Sequence, residues 1–84
     1  MNIEERKTFR LKLLKELYNH HFKSNGTQKQ LDKRDLAKEI EKQLAYEYLA
    51  EKGLITIKQS AGAQFSCKVT ALGIDLIESQ WEVI

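Results

Sequence analysis

Apolar positions recur at helical spacing over the first quarter of the chain. Leu11, Leu14, Tyr18 and Phe22 stand three and four apart, with Leu13 and Leu17 widening the stripe. This predicts a helix over residues 3–22. Ser24-Asn25-Gly26 stops it, and Gly26 suits the left-handed position that follows a helix end. Thr27-Gln28-Lys29-Gln30 then matches a capping box, and a second start signal follows at Asp32 or Asp35. Leu36, Ile40, Leu44 and Tyr48 repeat every four residues, flanked by Ala37, Ala45 and Leu49, up to a Lys52-Gly53 stop. The chain has no proline, so nothing forces a helix to break.

From Ile55 the period falls to two. Ile55 and Ile57 share a face opposite Thr56 and Lys58. After Ser60-Ala61-Gly62-Ala63 the alternation resumes, with Phe65, Cys67 and Val69 on one side and Gln64, Ser66, Lys68 and Thr70 on the other. Two amphipathic strands around a glycine-bearing turn predict a β-hairpin whose apolar face packs on the helices. Thr70 can cap a last helix, in which Leu72, Ile74, Ile77, Trp81 and Ile84 follow helical spacing.

The order is therefore helix, helical region, helix, hairpin, helix. Leu49-Ala50-Glu51-Lys52-Gly53-Leu54-Ile55 and Val69-Thr70-Ala71-Leu72-Gly73-Ile74-Asp75-Leu76-Ile77 carry a resemblance to the winged helix-turn-helix superfamily. The likeness is to MarR- and PadR-like regulators and to small winged-helix proteins of Gram-positive bacteria and phages. It implies an α+β fold: a three-helix core, a two-stranded wing and a C-terminal helix in one domain over residues 1–84. In this pattern Gly53 turns the backbone sharply and drops Leu54 and Ile55 into the core. Gly73 permits close contact with a neighbour, or else is a tolerated helix glycine costing about 1 kcal/mol. The resemblance requires a second helix near 27–35 and a third near 38–52, with a turn between Asp35 and Lys38. The competing reading is one helix from Asp32 to Lys52. The break is favoured because Leu31 needs a place in the core.

A chain of 84 residues has room for one small core. Apolar residues are 42% and charged residues 31%, as in a folded soluble chain rather than a disordered one. No apolar run reaches the ~18 residues of a membrane span, and no secretory leader opens the chain. One cysteine excludes an internal disulfide. The expected compartment is the cytoplasm. The net charge of +2 is unevenly spread: the first 34 residues hold nine cations against four carboxylates. That excess marks either an anionic partner or a solvated helix face.

Catalytic candidates are few. His20 and His21 are adjacent and diverge by about 100° on a helix, with no third ligand at zinc spacing. Cys67 sits on the apolar strand face, where an inert buried thiol is the usual outcome. No phosphate loop, nucleophile elbow or zinc-protease motif is present. An enzyme is not expected, nor a cofactor, a metal or a small-molecule substrate.

Two functions fit. The resemblance implies a small DNA-binding regulator of transcription. Its recognition helix would present Lys38, Glu41, Lys42 and Gln43 to a major groove, with Gln43 able to read adenine. Lys58, Gln59, Ser60, Gln64 and Lys68 on the wing, with Lys29, Lys33 and Arg34 ahead of that helix, would hold phosphates. Against this, residues 35–52 are net −2, and Glu39, Glu41 and Glu47 would repel a phosphate they faced. The alternative is a protein-interaction or dimerisation module without DNA binding. Its apolar stripe would be Ile77, Trp81 and Ile84, with Ile3 and Phe9 from the first helix.

Overall fold

The computed structural model describes residues 1–60 and 62–80. Four helices and a three-stranded antiparallel sheet follow one another as α1 (Ile3–Lys23), β1 (Lys29–Asp32), α2 (Lys33–Lys38), α3 (Ile40–Glu51), β2 (Ile55–Gln59), β3 (Gln64–Val69) and α4 (Ala71–Gln80). The sheet order is β1-β3-β2.

Helix α1 forms as the spacing predicts and buries Leu13, Leu14 and Leu17. Its start is a capping box: Glu5 N–H donates to Asn2 Oδ1, and Asn2 N–H donates to Glu5 Oε1. It ends in a turn with Asn25 and Gly26 at φ 59° and 85°.

The segment after that turn corrects the expected second helix at 27–35. No capping box forms at Thr27. Residues 29–32 are instead an edge strand, registered as Lys29↔Cys67, Gln30↔Ser66 and Leu31↔Phe65. The hairpin is thus two strands of a three-stranded sheet. The physical reason lies in β3. Its outer edge would otherwise expose unpaired backbone groups, and β1 pairs with them. Leu31 gains its place against the core on this strand, not on a helix.

Asp32 closes β1 and caps α2, its Oδ1 accepting from Arg34 N–H at 2.8 Å. The helical region does break, at Glu39 (φ −122°, ψ 81°), just past the expected turn. Burial explains the break. Leu36 of α2 and Ala45, Tyr46 and Leu49 of α3 are all buried. On one continuous helix Leu36 and Ala45, nine residues apart, would lie about 180° from each other. Both reach the core only if the axis changes direction between them.

Helix α3 leaves through two bonds, Gly53 N–H to Ala50 C=O and Leu54 N–H to Leu49 C=O, each 3.0 Å, with Gly53 at φ 77°. This is a Schellman closure. It turns the chain into β2, where Ile55 is buried. Strands β2 and β3 pair as Ile55↔Val69, Ile57↔Cys67 and Gln59↔Phe65, so the expected apolar face exists. Ile55, Cys67 and Val69 are core, and Ile57 and Phe65 pack against it. Ser66, expected on the wet face, is buried as well. The side chain of Gln30 crosses from β1 and donates to Ser66 Oγ at 3.0 Å.

Candidate nucleic-acid interface

The start of α2 is tied to the hairpin. Lys33 N–H donates to the Ala63 carbonyl at 2.7 Å, and Lys33 Nζ lies 5.9 Å from the Phe65 ring centroid. At the mouth of the hairpin, Ser60 N–H donates to the Gln64 carbonyl at 2.9 Å, and Ser60 Oγ also reaches Gln30 Oε1. Lys33, Arg34, Gln59, Ser60 and Gln64 are therefore neighbours at one end of the fold. The sheet register adds two cations on the face away from the core. Lys58 stands opposite Ser66, and Lys68 opposite Thr56.

The other candidates are placed differently. Lys29 lies in the row of Cys67 and Ile57 on the core side, half-buried at the sheet edge. Arg34 pairs with Asp32 at 3.4 Å, and its bonds, the backbone one foremost, hold the Asp32 carboxyl below its ordinary value. Lys38 ends α2 in solvent. Lys42 and Gln43 are half-buried beside α2 and the sheet. Lys42 borders a small cavity with Asp35 and Glu39, and Gln43 one with Leu31, Tyr46 and Phe65.

Outward from α3 point Ile40, Leu44, Glu47 and Glu51, all exposed. Ile40 is 58% and Leu44 52% exposed. The four-residue repeat read from the sequence thus marks the solvent side of α3, not its core side. Glu41, expected in the groove-facing set, is clamped to α1 instead. Arg6 grips it by Nε at 3.2 Å and Nη2 at 2.9 Å, and that bond lowers the carboxyl's pKa.

Of the apolar stripe expected at an interface, Ile77 is 3% exposed and belongs to the core. Burial of the α4 face toward α1 and β3 removes it from any dimer surface. Phe9 is half-buried against the core, while Ile3 is exposed. Trp81 and Ile84 lie outside the described residues. Missed in the sequence was a second apolar surface on α4, Leu72 and Leu76. Its signal was present: apolar residues at 72, 74, 76 and 77 spread over more than half of the helix circumference, wider than a single core-facing stripe.

Cys67 is enclosed, and burial pushes its thiol up to about 11. An enclosed thiol held in its protonated form is a poor nucleophile. Among the described residues no cluster of three or more His, Cys, Asp or Glu could hold a metal ion. None of the described helices is long and apolar enough to cross a membrane.

No family, curated protein or solved structure matches the chain.

Proposed function

We propose that the chain is a winged helix-turn-helix domain that grips duplex DNA by its phosphates. The wing and the start of α2 make the grip, and α3 reads few bases. Supporting the fold is the element order itself, a strand between the first two helices and a hairpin after the third, with sheet order β1-β3-β2. One observation carries the binding surface: the Lys33–Ala63 backbone bond, which holds the first basic turn of α2 against the wing. Lys33 and Arg34 at the start of α2, with Lys58 and Lys68 on the outer face of the sheet, then supply charge to phosphates, and Gln59, Ser60 and Gln64 supply neutral donors. The outward line of α3, two aliphatics and two carboxylates, suits base-edge recognition poorly.

The test is affinity for a random-sequence duplex against salt. Each phosphate neutralised contributes about 0.9 to the slope of log K on log salt. The expected slope corresponds to about four contacts, and Lys33→Glu with Lys58→Glu flattens it. A slope near zero, or one indifferent to both substitutions, overturns the reading.

A second reading, a protein-docking domain without DNA, draws on the same outward line of α3. Ile40 and Leu44 between carboxylates fit a protein surface better than a phosphate backbone. Under it, duplex DNA does not bind at any salt concentration.

A further inference from the structure

A groove of about 820 Å³ runs between α1, the C-terminal half of α3 and α4. Leu11, Leu14, Leu49, Leu54, Leu72 and Leu76 line its floor and walls. Leu72 is 56% and Leu76 37% exposed, so the two leucines of α4 leave adjoining apolar surface open along the groove. The rim is cationic. Among the described residues, Lys7, Arg10 and Lys52 line it together with one carboxylate, Asp75. Two of these cations are gathered on one ring: the Arg10 guanidinium lies 4.0 Å from the Tyr48 centroid, and Lys52 Nζ 5.8 Å. Stacking on Tyr48 holds positive charge at the groove's edge, where a bare leucine cleft would have none. Apart from Lys52 and Leu54, between α3 and β2, every described residue lining it belongs to a helix.

We infer that this groove receives an acidic amphipathic helix from a partner protein. Leu72 and Leu76 stand one helical turn apart, as do Tyr48 and Lys52, and Lys7 and Leu11. Such ridges accept apolar anchors spaced i, i+3, i+4 and i+7 on an incoming helix. Carboxylates flanking those anchors meet Lys7, Arg10 and Lys52. A phosphate backbone has no use for the leucine floor, and a basic helix would face like charge at three points. Charge chooses the partner and its orientation, and the floor supplies most of the affinity. The inference stands whether or not the wing binds DNA.

The test uses a fluorescein-labelled synthetic helix of about 15 residues, with leucines at those spacings and glutamates between them. Its counterpart carries lysine at every glutamate position. Fluorescence anisotropy is read with the whole chain, and circular dichroism checks that each variant is folded. The glutamate peptide is expected to bind at least about tenfold more tightly than the lysine peptide. Leu76→Glu abolishes binding. Lys7→Glu combined with Lys52→Glu reverses the preference, an outcome that mere loss of folding cannot produce. The inference is overturned if neither peptide binds, if both bind alike, or if the charge reversal leaves the preference unchanged. It is also overturned if sedimentation shows a dimer that Leu76→Glu dissociates, since a second copy then fills the groove.

Discussion

Gly73, in the first turn of α4, lies so close to the Leu54 carbonyl oxygen that no β-carbon fits between them. A β-carbon built there would also stand 2.8 Å from Val69 Cγ2. The approach is what brings α4 onto the exit from α3. Leu54 C=O simultaneously accepts from Thr70 N–H at 3.0 Å. Gly73→Ala should therefore destabilise the fold by about 1–3 kcal/mol through overpacking. In an open helix the same change stabilises by about 1 kcal/mol, so the sign is decisive. Urea unfolding of the two proteins measures it.

Thr70 welds the same junction from its side chain. Its hydroxyl donates to Gly53 C=O at 2.6 Å and accepts from Gly73 N–H at 3.2 Å. One group thus caps α4 and ties it to the glycine that ends α3. Thr70→Ala should cost about 1–2 kcal/mol, while Thr70→Ser should restore most of the loss. Thermal melts of the three proteins compare them.

The orientation of α3 gives opposite expectations for residues five apart. Leu44→Lys should leave stability within about 0.5 kcal/mol, because the side chain is already in water. Leu49→Ala should cost about 2–5 kcal/mol, because Leu49 is core. Equal costs at both positions would mean that α3 is rotated from the arrangement described.

Stability should fall in alkali. Burial raises the Cys67 thiol from 9.0 to about 11, and burial likewise raises the Tyr46 phenol from 10.0 to about 12. Both groups are neutral when protonated. Below pH 9 neither state has lost its proton, and the stabilisation is complete. Between pH 9 and about 11 the unfolded thiol ionises while the folded one resists, so the unfolded state gains. Tyr46 adds the same trend one pH unit higher. Denaturant midpoints from pH 7 to 11 should decline above pH 9, and Cys67→Val should delay the decline toward the tyrosine range.

The helix ends and the hairpin were legible in the sequence because each rests on local chemistry. Gly26 and Gly53 occupy the left-handed positions that their contexts demand, and Thr70 caps the helix that it begins. Alternation from Ile55 to Val69 gave the face that closes the core. Strand β1 was hidden because Lys-Gln-Leu-Asp carries one apolar residue and forms only by pairing with β3, more than thirty residues away. Thr27 and Gln30 mimic a capping box at the same place, and nothing local rejects it. The repeat of Leu36, Ile40, Leu44 and Tyr48 misled in another way. The break at Glu39 separates its first member from the rest, and only Leu36 keeps its place inside. The candidate basic residues were readable one by one. Their grouping depended on the Lys33–Ala63 contact, which joins segments thirty residues apart.

Amide chemical-shift mapping of the chain with a short duplex tests the proposed DNA-binding surface most directly. We expect the largest shifts at Lys33, Arg34 and hairpin residues 58–60 and 62–64, with small ones at Ile40, Leu44 and Glu47. Shifts centred on the outward line of α3, or no shifts at low salt, would contradict the account.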